Sequence, residues 1–162
     1  MMAAILTCSL MTACSSSSDD DNNSKQNRIE VLYSTILSED MLKVADLTVV
    51  YLDQAGNKQQ ETLTTTSWEK SISINTLPMN VGICVKANPK SSIAEGEYKL
   101  DVTSTAAIAG ITASGKEITE AVGTYSSETR TADKVPSYCN AIEGKAVRID
   151  ADGNVTNTTY DF

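Results

Sequence analysis

Cysteine and the carboxylic acids are the residue types that could do chemistry in this 162-residue chain, because it contains no histidine. The lack of histidine excludes Ser–His–Asp and Cys–His catalysis within the chain and removes the commonest zinc ligand. Cys84 lies in a predicted strand, and Cys139 lies in a predicted loop or short helix around Pro136. In an oxidising compartment their bond would close a loop of about 55 residues and stabilise the fold by roughly 4 kcal/mol. We predict a structural disulfide. Two free thiols are the alternative, and nothing nearby would activate a catalytic thiol.

Paired carboxylic acids are the second set of candidates. Two acids that face one cleft can hydrolyse a glycosidic bond. Three close pairs occur in the sequence: Glu95 with Glu97, Glu117 with Glu120, and Glu128 with Asp133. Acids on polar strand faces are usually solvated, so we predict no catalytic residue and no enzymatic activity.

The segment 150–154 (DADGN) has oxygen-bearing side chains at alternate positions, as a calcium loop does. That loop needs glycine at its sixth position and glutamate at its twelfth, whereas here glycine is fourth and Asp161 is twelfth. An Asp-Gly hairpin turn explains the same residues. Because glycine-rich phosphate loops are also missing from the sequence, we predict neither a metal nor another cofactor.

Trp68 is the only tryptophan and the candidate ligand contact. An exposed indole can stack on a sugar ring or anchor a protein partner. Packing in the core is the alternative role, and the more usual one in a domain with a single phenylalanine.

The elements that must position these residues are strands. Alternation of apolar and polar residues dominates from Arg28 onward, and residues 46–53 (DLTVVYLD) are apolar on both faces, as in a central strand. Turns at 54–57 and 151–154 predict hairpins, and a further hairpin is predicted between 67–76 and 80–87. Ser38 is predicted to cap one helical turn. Roughly seven to nine strands without a long helix predict an antiparallel β-sandwich over residues 27–162, with a closed meander barrel as the alternative.

Charge narrows the choice of partners. The net charge is −8, and the chain has neither a basic run nor a patch of basic and aromatic residues. Nucleic acid is therefore excluded as a partner.

The first 13 residues are apolar or small and carry no charge. They are too few to span a bilayer, which takes about 20 residues, and they match the apolar region of a signal peptide. The stretch ends Leu10-Met11-Thr12-Ala13-Cys14, which resembles the lipobox of bacterial lipoproteins. It departs from that pattern in having Met11 where leucine is usual and in lacking a basic start. The resemblance implies that residues 1–13 are a signal peptide and that Cys14 is acylated, which makes the membrane a partner through its lipid anchor.

Residues 14–26 form a polar, low-complexity segment that is predicted to be a disordered tether. The acids Asp19, Asp20 and Asp21, shortly after Cys14, resemble the export signal of surface lipoproteins of the Bacteroidota. That resemblance implies an outer-membrane location facing the cell exterior, and a generic acidic spacer is the alternative.

The stretch from Ser38 to Lys90 includes a Tyr-Leu-Asp-x-x-Gly-Asn turn at 51–57 and a Ser-Trp-Glu-Lys strand at 67–70. In these features it resembles the immunoglobulin-like domains of small surface lipoproteins of the Bacteroidota, which implies an immunoglobulin-like sandwich but no particular activity. Our first hypothesis is a non-enzymatic binding or adhesion module for a glycan or a protein, which requires an exposed aromatic or edge-strand patch away from the anchor. A structural envelope protein or minor fimbrial subunit, open to strand donation, is the alternative. A glycan-active enzyme is the third.

Overall fold

The computed structural model describes residues 26–162, which form two antiparallel sheets. The elements within that range are β1 (Arg28–Leu37), α1 (Glu39–Val44), β2 (Ala45–Leu52), β3 (Lys58–Leu63), β4 (Ser67–Ile74), β5 (Met79–Pro89), β6 (Glu97–Ile111), β7 (Glu117–Thr131), a 3₁₀ turn (Ala132–Lys134), α2 (Val135–Asn140), β8 (Lys145–Ile149) and β9 (Val155–Thr158). The four-stranded sheet has the order β4-β1-β6-β7, and the five-stranded sheet has the order β3-β2-β5-β8-β9.

The core lies between the two sheets and is built by the alternation seen in the sequence. In β1, Ile29, Val31 and Tyr33 are fully buried, whereas the residues between them are exposed or half-buried. In β6, Leu100 and Val102 enter the same core, as their spacing predicts. The antiparallel β-sandwich is therefore confirmed, and the two sheets are separate rather than closed into a barrel.

The turns of two hairpins are stabilised by the same pattern of aspartate hydrogen bonds. In the β2–β3 turn, Oδ1 of Asp53 accepts from the backbone N–H groups of Ala55 and Asn57 at 2.8 and 2.9 Å. In the β8–β9 turn, Oδ1 of Asp150 accepts from Asp152 and Asn154 at 2.9 and 2.8 Å. Each aspartate thus satisfies backbone donors that the turn leaves free.

The short helix α1 begins where the sequence predicts. Oγ of Ser38 accepts from the backbone N–H of Met41 at 3.4 Å and from that of Asp101 at 3.1 Å. Ser38 therefore caps α1 and also fixes it to β6. Within residues 26–162, no helix has both the length and the apolar character needed to cross a membrane.

The predicted hairpin between residues 67–76 and 80–87 is wrong. β4 pairs with β1 in the four-stranded sheet, whereas β5 pairs with β2 and β8 in the five-stranded sheet. The segment between them passes from one sheet to the other, so that Ile72 of β4 and Val81 of β5 both enter the core. Both side chains belong to the same core, and the backbones of β4 and β5 do not pair.

The centre of the outer face of the five-stranded sheet is also buried and apolar. Val50 and Leu52 of β2 are fully buried but lie outside the core cluster, which confirms β2 as a strand buried on both faces. Phe162 packs on this face against Gly82 and Gly144, where a Cβ would lie 2.7 and 2.6 Å from its ring carbons. These two glycines thus form the notch that receives the Phe162 ring.

Candidate binding site

An exposed tyrosine stands on the outer face of the four-stranded sheet. The side chain of Tyr125 in β7 is 73% exposed, and that of Ile36 in β1 is 62% exposed. The register places Ile36 opposite Thr103, and Thr103 opposite Tyr125, so the three residues form one row across β1, β6 and β7. The row presents an aromatic ring and an aliphatic side chain to solvent on one flat surface.

Polar groups of both charges lie in the next rows. Nζ of Lys99 is 3.0 Å from Oδ2 of Asp101, and Oγ of Ser127 donates to Oδ1 of the same carboxylate. The Ser127 hydrogen bond, followed by that of Lys99, holds the pKa of Asp101 below its ordinary value, so Asp101 is ionised at neutral pH. Hydrogen-bond donors and an acceptor therefore lie beside the Tyr125 ring, and we call Ile36, Thr103, Tyr125, Lys99, Asp101 and Ser127 the Tyr125 surface.

The Tyr125 surface lies far from the point where β1 begins. Tyr125 is in the row of Ile36, eight residues along β1 from Arg28. At the usual rise of a strand this separation is about 27 Å. A ligand can therefore reach the ring without meeting the start of β1.

A cavity of about 290 Å³ lies on the inner side of β7, on the face of the strand opposite to the one from which the Tyr125 ring projects. It lies between β7 and the segment that precedes β8, and its lining includes Tyr125, Val102, Thr124, Ile142 and Glu143. The Thr124 hydroxyl is 2.9 Å from that of Ser104 and 3.3 Å from the carbonyl oxygen of Glu143. The cavity thus combines apolar walls with hydroxyl and carboxylate groups, a mixture common in small-ligand sites.

Trp68, the candidate predicted from the sequence, is half-buried and has its polar edge occupied. Its Nε1 donates to Oε2 of Glu61 at 2.9 Å, and the Tyr51 hydroxyl donates to Oε1 at 2.9 Å. The Trp68 and Tyr51 rings are 5.4 Å apart. The bond from Trp68, with that from Tyr51 next, lowers the pKa of Glu61. This cluster ties β3 of one sheet to β4 of the other, which favours the packing role for Trp68.

The predicted disulfide between Cys84 and Cys139 is absent, and both thiols are free and buried. Cys139 belongs to the core between the sheets, whereas Cys84 lies outside that core, between Ile83 and Val85, which face it. The five-stranded sheet therefore separates the two side chains. Burial raises the pKa of both thiols, which keeps them protonated and poorly nucleophilic.

The aspartate loop at 150–154 is a hairpin turn. Besides its backbone contacts, Asp150 accepts from the side-chain amide of Asn154 at 2.8 Å through Oδ2. Both carboxylate oxygens are thus used by the loop itself. In the part of the chain that the structure describes, no three histidine, cysteine or acidic residues are grouped so that they could hold a metal ion.

Cys14, the predicted lipidation site, lies outside the described residues, as do the predicted signal peptide and all but the last residue of the predicted tether. A comparison with protein-family models, with curated proteins and with solved structures found no match to this chain. Tyr125 is not among the candidate residues that the sequence indicates. The sequence feature that could have identified it is the spacing of Val122, Thr124 and Ser126 at every second position of β7. These three side chains share one face of the strand, which leaves Tyr125 on the opposite face.

Proposed function

We propose that this chain is a lipid-anchored, non-enzymatic binding module that faces the exterior of an outer membrane and binds a glycan through the Tyr125 surface. The proposal depends on the 73% exposure of Tyr125 in the same row as the exposed Ile36. Tyrosine is enriched at binding interfaces because its ring offers a large contact area and its hydroxyl a polar group, so an exposed tyrosine beside an exposed aliphatic side chain favours a binding role. The acylated Cys14 and the acidic tether, both inferred from the sequence, supply the location.

The groups around the ring favour a glycan. The C–H face of a pyranose ring can stack on a tyrosine, whereas its hydroxyl groups need donors and acceptors at the rim. Lys99, Asp101 and Ser127 supply these groups within two rows of Tyr125.

A glycan array tests the binding proposal directly. The full chain carrying Cys14→Ala, which has no thiol to acylate at that position, is applied beside its Tyr125→Ala variant. Binding of a glycan class by the parent, with at least a tenfold loss in the variant, supports the proposal. Tyr160→Ala is the matched control, because it removes an aromatic ring that stacks on Phe162 at 5.2 Å, far from the Tyr125 surface.

The outcomes separate the alternatives. Absence of binding to any glycan, together with capture of a protein that Tyr125→Ala abolishes, would replace the glycan by a protein ligand. Equal glycan binding by the parent and Tyr125→Ala would contradict the site. Palmitate labelling in the native cell tests the anchor, since label retained after Cys14→Ala would refute acylation at that residue.

A further inference from the structure

The strand β7 is an edge strand of 15 residues, and its outward backbone groups can be identified. The carbonyl of Asp101 in β6 accepts from the N–H of Ser38, on the β1 side of the sheet. Because backbone groups alternate along a strand, the even-numbered residues of β6 point toward β7. Val102 pairs with Ser126, so the even-numbered residues of β7 point back at β6, and the odd-numbered residues point away from the sheet.

These outward backbone groups are free over most of β7. From Thr119 to Thr129, the odd-numbered residues make no backbone hydrogen bond to any other described residue beyond the sheet edge. A long row of unpaired N–H and C=O groups is a template for another strand. The charged residues of β7 are Glu117, Glu120, Glu128 and Arg130, and the segment 121–127 is uncharged.

Charge favours one register if β7 pairs with β7 of a second copy, although Arg130 also contacts Glu128 on its own strand. If β7 pairs antiparallel with β7 of a second copy so that Tyr125 faces the other Tyr125, Glu120 falls opposite Arg130 of that copy, twice across the two-fold axis. Sliding the pairing by one residue on each strand, so that Thr124 faces Thr124, instead places Glu120 opposite Glu128. Sliding it the other way leaves Glu120 beyond the end of the other strand. Opposite charges stabilise directly facing positions, and like charges destabilise them.

We infer that this chain forms a symmetric dimer through β7, in which Glu120 pairs with Arg130 of the second copy and the two four-stranded sheets become one eight-stranded sheet. The register lets the outward backbone groups of Ala121, Gly123 and Tyr125 bond across the interface. The side chains that flank Tyr125 on the outer face are glycine and serine, which leave the facing strand unobstructed. The interface is isologous, as in most soluble dimers.

The dimer enlarges the Tyr125 surface, a consequence that rests on the proposed function. The two-fold axis runs perpendicular to the sheet, so both Tyr125 rings stand side by side on the same outer face. The starts of the two β1 strands lie on opposite sides of the axis. Two tethers can therefore reach one membrane while the paired rings face outward.

Sedimentation equilibrium of the full chain carrying Cys14→Ala, with no glycan present, tests the dimer independently of the binding proposal. The chain should sediment with twice its monomer mass at high concentration and dissociate on dilution. Arg130→Glu places a glutamate opposite Glu120 of the second copy and should raise the dissociation constant at least tenfold, and adding Glu120→Arg to it should restore the dimer. The control Glu117→Arg reverses a charge outside the paired segment and should leave the dissociation constant unchanged.

Ala121→Pro tests the backbone pairing. It removes an N–H that points to solvent in the monomer, where an edge strand tolerates proline. The variant should keep the melting temperature of the monomer and lose the dimer. A chain that is monomeric up to its solubility limit would overturn the inference. So would a dimer that survives both Arg130→Glu and Ala121→Pro. Either result leaves glycan binding by a single Tyr125 surface intact.

Discussion

Truncation should affect stability differently at the two aromatic candidates, the half-buried Trp68 and the exposed Tyr125. Trp68→Ala removes a ring that packs against Tyr51 and a hydrogen bond to Glu61. Full burial of such a ring is worth about 3–5 kcal/mol, and Trp68 is half-buried, so we expect a loss of about 2–3 kcal/mol in the free energy of unfolding. Tyr125→Ala removes a side chain that is 73% exposed, and we expect a change within about 0.5 kcal/mol.

Urea unfolding, followed by far-UV circular dichroism, measures both values. Trp68→Phe is the matched control, since it keeps the packed ring and loses the N–H donor, at a cost of about 1 kcal/mol. The reasoning would be refuted if Tyr125→Ala destabilised the protein as much as Trp68→Ala does. It would also be refuted if Trp68→Ala cost less than the phenylalanine variant.

Three further results are expected. Glu61→Gln should lower stability by about 1–2 kcal/mol at neutral pH. Because hydrogen bonds lower the pKa of Glu61, its contribution is present above about pH 4.3 and is lost as the pH falls through that lowered pKa. The melting temperatures of the parent chain and Glu61→Gln, measured from pH 7 to pH 3, should therefore converge at low pH. A difference in melting temperature that stays constant with pH would contradict this. Phe162→Ala should speed the reaction of Cys84 with a thiol reagent in the native state, since the Phe162 ring covers that face, and an unchanged rate would oppose the packing described. Chemical denaturation should show a larger loss in the free energy of unfolding for Gly153→Ala than for Gly115→Ala. Both glycines have positive φ, but only at Gly153 would a Cβ meet another atom, at 2.5 Å, and equal losses would count against that contact.

Local patterning was sufficient for most of the strands. Alternation around Leu100 and Val102 identified the buried face of β6, and Ser38 marked the start of α1. These features depend on neighbours in sequence, so one chain suffices to find them. The pairing of β4 depends on a distant strand, β1. Ile72 would be buried whether β4 paired with β5 in one sheet or lay opposite β5 in the other sheet, so its apolar character does not distinguish the two arrangements. The predicted β4–β5 hairpin failed for that reason.

The candidate site residues also depend on contacts between distant parts of the chain, which the sequence alone does not reveal. Composition pointed to Trp68 because it is the lone tryptophan, but only the contact with Glu61 reveals that its polar edge is already used. Tyr125 became evident once the register with Thr103 showed which face of β7 is outside. Likewise, the sequence separation of Cys84 and Cys139 allows a bond, whereas their placement on different sides of the five-stranded sheet does not.

Mapping of backbone amide chemical shifts by NMR, during titration with a glycan that the array identifies, tests the central claim most directly. We expect the largest shifts on Tyr125 and on its neighbours Lys99, Asp101 and Ser127. Tyr125→Ala should abolish these shifts and leave the rest of the spectrum unchanged. Shifts centred instead on Trp68 or on the Phe162 face would contradict the claim that the Tyr125 surface is the binding site.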